Sequence, residues 1–290
     1  MAASGDGGMY FPRAFDIDRA VELAELVDQA YAQFEAFSKG EAWKLTGDYR
    51  LQQVVNYTES SVRTGSATRT YFDLDLHGSR RGGHAPRDVP VGFTARRRDD
   101  VYLILRGTMT AREWIRDFRM GLVPYLLPRY GRVHDGFMHI YSMIRPTVQE
   151  TLALVDHGKR LFIAGHSLGG ALSTLALPDI GARMERKAIW LYTYGSPRVG
   201  DNGFAVAFNS DYRDRSFRIL NTSDIVGSLP LPAPIMGIVG GYFSHIDTPV
   251  DFTTQTDDLE KNHLIKTYLS ALKENGRSKG ILSKLRLWGE

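Results

Sequence analysis

Gly165-His166-Ser167-Leu168-Gly169-Gly170 is the segment with the clearest capacity for chemistry. An apolar run, Leu-Phe-Ile-Ala at 161–164, precedes it, and an apolar helical pattern over 168–177 follows. A Gly-x-Ser-x-Gly pentad set between strand and helix predicts a sharp, strained turn that exposes the serine hydroxyl as a nucleophile. Small residues at 165 and 169 let the strand and helix backbones approach closely. No lysine follows the glycines, which excludes a phosphate loop.

A serine hydroxyl is a weak nucleophile until a histidine takes its proton, and that histidine needs an acid to fix its tautomer. Behind an elbow of this kind the chain order is serine, acid, histidine. Downstream of Ser167, Asp224 is the best-placed acid: it follows the apolar strand Phe-Arg-Ile-Leu in the turn Asn221-Thr222-Ser223-Asp224. Its alternatives are an Asx-turn residue or a helix cap. Two histidines lie beyond it, His245 and His263. His263 is expected at the start of the last helix, in a polar turn where its ring could swing over the sheet edge. His245 sits in the alternating stretch Tyr242-Phe243-Ser244-His245-Ile246 and reads more simply as a packed strand histidine. The residues alone leave both open. His166 precedes the nucleophile; neighbours at an elbow point apart, so it reads as structural.

An acyl-transfer site also needs N–H groups aimed at the developing oxyanion. One is expected from Leu168, the residue after the nucleophile, and the other from Thr108, in the loop after the strand Val-Tyr-Leu-Ile-Leu. Residues 109–120 follow at once. Ala111, Trp114, Ile115 and Phe118 fall on one helical face, with Arg112, Glu113 and Arg116 on the other. His134, His139 and His157 lack metal-ligand spacing with any acid. Neither metal nor cofactor is implied.

The surrounding pattern predicts a helix over 16–37, from Val21, Ala24, Val27, Tyr31 and Phe34, capped by Asp16 or Asp18. Strands are expected at 67–76, 91–95, 101–105, 189–194 and 216–220, with weaker ones at 242–246 and 250–252. Residues 78–87 read as a mobile Gly/Arg loop. A helix over 136–156 should kink or restart at Pro146. Pro230, Pro232 and Pro234 impose an irregular loop, and Leu264, Tyr268, Leu269 and Leu272 mark a last helix. Strands alternating with helices argue for an α/β fold with a largely parallel sheet.

The 290 residues are 43% hydrophobic and 24% charged, enough for one large core and unlike a disordered or fibrous chain. Mean hydropathy is −0.26, and no apolar run approaches the length of a transmembrane helix. The absence of cysteine excludes disulfides, thiolate metal sites and cysteine nucleophiles. The net charge of +3 is spread along the chain. Arg96-Arg97-Arg98 runs straight into Asp99-Asp100, a solvated turn rather than a nucleic-acid patch. The first residues lack a signal-peptide pattern, so the expectation is cytoplasmic, with a secreted form whose signal has been removed as the alternative.

Several separate segments resemble the class 3 lipases, the family of the filamentous-fungal triacylglycerol lipases. They are Arg106-Gly107-Thr108 with Trp114 and Asp117, Val133-His134-Asp135-Gly136-Phe137, the elbow, Tyr194-Gly195-Ser196-Pro197-Arg198-Val199-Gly200, residues 221–226 with Leu229-Pro230, and His263 ahead of Tyr268. The resemblance covers roughly residues 89–270. It implies an α/β-hydrolase fold: a mostly parallel central sheet flanked by helices, with a lid helix over about 109–120. The whole of 1–290 would form one domain, with an N-terminal helix in 1–40 and a basic tail at 277–290.

The resemblance further implies a carboxylester hydrolase, a triacylglycerol lipase in the first place. A phospholipase A1 or a feruloyl or short-chain esterase are alternatives, and a lipase-like binding domain without catalysis is the alternative of another class. It implies the triad Ser167, Asp224 and His263, with a non-catalytic histidine where His245 falls. It implies Thr108 and Leu168 as oxyanion donors, and Asp117 as a partner for the Thr108 hydroxyl when the lid opens. Trp114, Ile115 and Phe118 would line the lid. Leu229, Leu231 and Ile235 would form an acyl-pocket wall, core packing being the plainer reading. Partners would be a lipid or ester substrate at an interface, with peripheral membrane or lipid-droplet contact through the amphipathic tail. Two departures stand out: Gly227 occupies a position where the family usually has proline, and the segment from Asp224 to His263 is short.

Overall fold

The computed structural model describes residues 11–58, 88–108, 121–155, 159–184, 188–230, 243–246 and 248–286. Among these a seven-stranded sheet forms the spine. Its strands are β1 (Arg50–Thr58), β2 (Asp88–Arg97), β3 (Asp100–Leu105), β6 (Arg160–His166), β7 (Ile189–Tyr194), β9 (Ser216–Asn221) and β11 (Pro249–Phe252), in that spatial order. The two junctions among β1, β2 and β3 are antiparallel, and every junction from β3 to β11 is parallel. A smaller sheet joins β4 (Leu122–Pro124), β5 (Arg132–His134), β8 (Gly200–Asp201) and β10 (Phe243–Ser244).

The strand alternation decides which helix covers which face. Val101, Leu103, Leu105, Leu161, Ile163, Ile189 and Leu191 point to one core. There they meet α2 (Asp135–Glu150), α3 (Leu168–Gly181) and α4 (Asn202–Tyr212). Their neighbours Tyr102, Ile104, Phe162, Ala164, Tyr192 and Tyr194 point to the other, under α1 (Ile17–Lys39) and α6 (Ile265–Arg286). A short helix, α5 (Leu259–His263), precedes α6. Burial of both faces is what makes these strands continuous apolar runs.

Helix α1 starts where Asp16 accepts from the Arg19 N–H at 3.0 Å, one of the two caps expected. It ends at Gly40, whose φ of 70° gives the left-handed turn in which its N–H donates to the terminal carbonyls of Ala36 and Phe37. Arg19 ties the helix to Asp100 at 3.0 Å, and Arg160 reaches the same carboxylate at 2.7 Å. The Tyr194 hydroxyl donates to the Ala20 carbonyl at 2.6 Å. These contacts fix α1 across the sheet.

The strand pair around the charged turn, the strands at β6, β7 and β9, and the helices α1, α3 and α6 lie where the pattern put them. Pro146 neither breaks nor restarts α2, which runs through it to Glu150 before a tighter turn at Thr151–Leu154. β1 went unpredicted, because only Val55 and Tyr57 are buried in it and its apolar alternation is short. Among the described residues of the stretch expected at 242–246, Phe243 and Ser244 pair with β8. The expected strand at 67–76 and loop at 78–87 lie outside the described residues.

Two glycines test the packing in opposite directions. A Cβ on Gly169 would lie 2.3 Å from the Leu105 carbonyl oxygen, a backbone atom that cannot yield. Gly169→Ala should therefore destabilise by about 3 kcal/mol or more in urea unfolding. A Cβ on Gly276, within α6, would make an ordinary 3.5 Å contact with Ile17 Cδ1. Gly276→Ala should raise stability by about 0.5–1 kcal/mol.

Candidate active site

Strand β6 ends at His166 and α3 begins at Leu168. Ser167 between them has φ 55° and ψ −127°, a left-handed conformation that a side-chain-bearing residue adopts only under constraint. The constraint is visible on both sides. The Ser167 N–H donates to the Tyr194 carbonyl at 2.9 Å, and a Cβ on Gly165 would lie 2.2 Å from the Gly169 carbonyl oxygen. The serine also stands at the N-terminus of α3, where backbone N–H groups lack intrahelical partners.

Asp224 follows β9 through a turn in which its N–H donates to the Asn221 carbonyl at 2.9 Å. Only 2% of it is exposed, yet its carboxylate is fully engaged. Oδ1 accepts from the Val226 N–H at 2.9 Å. Oδ2 accepts from His263 Nδ1 and from the Tyr268 hydroxyl, both at 2.6 Å. With Nδ1–H bound to a carboxylate, the neutral His263 ring carries its lone pair on Nε2, the tautomer of a general base. His263 Nε2 is buried and has no hydrogen-bond partner among the described residues. The bond to Ser167 Oγ is thus open, as is common before substrate binds.

His263 does not open the last helix as expected. It closes the short α5, and Leu264, with ψ 138°, breaks the chain before α6. Asn221 holds this break against the acid turn: its amide donates to the carbonyls of Thr254 (2.8 Å) and Asn262 (3.1 Å). Gly195, with φ 54°, leaves the room the acid and base need. A Cβ there would lie 2.9 Å from both Asp224 Oδ2 and the Tyr268 hydroxyl.

Thr108 is buried, and the residue before it packs on the serine: a Cβ on Gly107 would lie 2.7 Å from Ser167 Cβ. Leu168 is fully buried in the first turn of α3. Trp114, Ile115, Asp117, Phe118, Leu231 and Ile235 lie outside the described residues. Leu229 is half-buried against the core that α2 and α3 share. Next to the buried Asp224 and His263 sit two apolar side chains turned to solvent, Ile225 (48% exposed) and Leu264 (51%).

Sequence reasoning missed the parts played by Tyr31 and Tyr268. Both occupy apolar-face positions in helical patterns, where a tyrosine reads as core. Burial and the neighbouring Asp224 push the Tyr268 hydroxyl well above its usual value, so it remains a donor. His245 is the packed histidine expected: its Nε2–H donates to the Gly227 carbonyl at 2.7 Å. A Cβ on Gly227 would lie 2.1 Å from Leu220 Cδ1, so the small residue suits this close contact.

The model of the family described as lipase (class 3) matches residues 102–233, which contain Thr108, Ser167 and Asp224. A lipase of Rhizomucor miehei is 34% identical over 173 residues, 55% of this chain and 46% of that protein. Over residues 102–233, a little under half of its length, the chain is similar to the class 3 lipase family. A phospholipase A1-II 1 of Oryza sativa subsp. indica is 33% identical over 157 residues, 46% of this chain and 40% of that protein. The chain thus spans about half the length of the curated relatives it matches. Among solved structures, the Rhizomucor miehei lipase bound to its propeptide superposes with a TM-score of 0.56 at 25% identity, over 78% of this chain and 65% of that one. A triacylglycerol lipase described as having a serine-protease triad at its catalytic centre gives 0.58 at 22% identity, over 77% and 78%. The fold is the α/β-hydrolase fold.

Burial gives two other histidines, His166 and His245, a measurable effect on stability. His166 is held neutral, well below the usual 6.5, by burial and by His263; His245 is pushed down to about 3 by burial and by Arg218. In the unfolded chain both protonate near their ordinary value. Below about pH 6.5 the unfolded state therefore binds more protons, and stability falls as pH drops from there towards 3. A series of thermal melts should show Tm declining across this window. His245→Gln should flatten the decline, and an unchanged slope would remove His245 from the account.

Proposed function

We propose that this chain is a carboxylester hydrolase, in the first place a triacylglycerol lipase, working through an acyl-enzyme. The observation that carries the reading is the 2.6 Å bond from His263 Nδ1 to the buried Asp224 carboxylate, which leaves Nε2 unpartnered among the described residues while Ser167 sits on a strained elbow. Ser167 Oγ attacks the ester carbonyl carbon while His263 Nε2 takes the hydroxyl proton. The carbonyl oxygen becomes an oxyanion, which the N–H groups of Leu168 and Thr108 hold. The tetrahedral adduct collapses, the C–O bond to the alcohol breaks, and His263 returns its proton to the leaving oxygen. Water repeats the sequence on the acyl-enzyme and frees the acid. Asp224 stays ionised throughout and stabilises the imidazolium.

The exposed Ile225 and Leu264 beside the triad support an apolar acyl substrate over a small polar ester. The rice relative named a phospholipase A1 supports a second reading, in which a phospholipid supplies the ester. Of the Fusarium solani relative, 28% identical, the name states a secreted mono- and diacylglycerol lipase. That favours a secreted protein over the cytoplasmic expectation. No helix among the described residues is long and apolar enough to cross a membrane.

A fluorophosphonate probe should label the wild-type protein at Ser167, and Ser167→Ala should abolish labelling while keeping the fold. Its kcat on p-nitrophenyl esters should fall roughly 10⁴–10⁶-fold. A folded mutant that still hydrolyses esters would overturn the mechanism, and an unlabelled wild type would leave a binding domain. Triolein and phosphatidylcholine, offered side by side, separate the two substrate readings.

Residues 109–120 follow Thr108 directly and would form the lid. Uncovering about 300 Å² of apolar surface costs about 7 kcal/mol in water, at about 25 cal/mol per Å². A lipid surface removes most of that cost. Activity on an insoluble ester should jump once droplets form, with a shift in Trp114 emission. Trp114→Ser should shrink the jump more than it slows a dissolved ester. A smooth hyperbola through the solubility limit would show that this segment is no lid.

A further inference from the structure

Three hydrogen bonds run from the oxyanion loop to the base without touching the triad's own side chains. The Gly107 N–H approaches the Tyr31 hydroxyl oxygen at 3.0 Å, that hydroxyl lies 2.7 Å from His166 Nδ1, and His166 Nε2 lies 2.6 Å from the carbonyl oxygen of His263. Chemistry fixes their direction. A carbonyl can only accept, so His166 Nε2 carries the proton. The ring is neutral, held well below its usual value by burial and by His263, so Nδ1 is the acceptor. The Tyr31 hydroxyl must then donate to Nδ1, and its oxygen receives the Gly107 N–H. The Tyr31 hydroxyl and the His166 ring thus each accept one bond and donate one.

We propose that Tyr31 and His166 form a positioning relay that holds the main chain of His263 in register with the oxyanion loop. The proposal rests on the hydrolase reading above and extends it to two residues outside the triad. His263 needs such a tether. It ends a short helix, and the chain breaks to an extended Leu264 immediately after it. The Asp224 bond fixes one ring nitrogen; the carbonyl bond fixes the backbone from which the ring hangs. The two imidazoles face each other with centroids 4.6 Å apart and planes 37° off parallel, so a shift of His166 is felt directly by the base. Neutrality of His166 also matters for the reaction, since a second cation at this distance would oppose the imidazolium that His263 becomes.

At the other end, the Gly107 N–H is committed to Tyr31, which leaves the next N–H, that of Thr108, to face an oxyanion. Helix α1 is itself anchored to the sheet by Arg19 and Tyr194, and the buried Arg106 guanidinium stacks on Phe34, 3.8 Å from the ring centroid and one turn beyond Tyr31. The relay thus ties three segments far apart in sequence to one rigid helix.

Steady-state kinetics on a dissolved p-nitrophenyl ester, with thermal melts and fluorophosphonate labelling beside them, test the relay. Tyr31→Phe keeps the ring and removes the hydroxyl. It should lower kcat roughly 10–100-fold, the scale of a small misplacement of reacting groups, with KM within about twofold. His166→Gln keeps a nitrogen donor within reach of the His263 carbonyl and should retain most of the rate, whereas His166→Leu should not. Nitrogen NMR of the imidazoles should find His166 protonated at Nε2 and bare at Nδ1. Full kcat in Tyr31→Phe, or the opposite tautomer at His166, would overturn the relay. So would a loss that tracks only the unfolded fraction and vanishes on cooling. A wild-type protein that neither labels nor turns over would instead remove the hydrolase reading, and the tautomer would still decide the relay's geometry.

Discussion

A carboxylate taken out of water must have its lone pairs claimed, and Asp224 is where that requirement shapes the molecule. Its three donors come from three places: the turn it sits in, the end of α5 and the face of α6. The carboxylate is fully hydrogen-bonded in the folded protein only when all three have arrived. Removing one would leave a buried charge short of a partner, which costs more than the bond itself contributes. The last two helices are therefore obliged to pack against the end of β9. Gly195 must be a glycine for the same reason, because the space a side chain would fill is already taken by the acid and the Tyr268 hydroxyl.

The parallel part of the sheet brings the other components to the same edge. Thr108, Ser167 and Asp224 each follow the carboxyl end of a strand: β3, β6 and β9. In an open parallel sheet those ends face one way, and loops leaving them converge on a crevice. The register makes this concrete, since Leu105 pairs with Gly165 and His166 with Tyr194, so the strands end nearly level. The elbow works only because nothing larger than glycine stands at 165 and 169. The close approach that strains Ser167 is the one that seats α3 under β3.

Much of this was legible because it is local. The elbow is a contiguous pattern, the acid turn follows a readable strand, and the apolar alternation of β3, β6 and β7 predicts two covered faces. His263 was harder. The residues offered two histidines, and its placement at a helix start was a misreading, since Leu264 is apolar and continues the helical pattern while its backbone leaves it. What decides between His263 and His245 is the partner of each: a carboxylate for one, the Gly227 carbonyl for the other. Tyr31 could not be read as part of a site. A tyrosine on the buried face of an amphipathic helix looks the same whether its hydroxyl ends in a core or on a histidine 135 residues away.

The two histidines beside the serine show how one environment can assign different tasks to one side chain. His166 has both ring nitrogens occupied and no carboxylate within its bonds, so burial keeps it neutral and fixed in one tautomer. His263 has a carboxylate on one nitrogen and, among the described residues, no partner on the other. In the proposed reaction the first only holds, and the second accepts a proton beside the Asp224 carboxylate. A ring that must cycle between charged and neutral needs its counterion close and its second nitrogen uncommitted. A ring that only holds must be denied both. In that proposed reaction the pairing of such rings, tilted against each other beside one elbow, confines proton transfer to a single nitrogen.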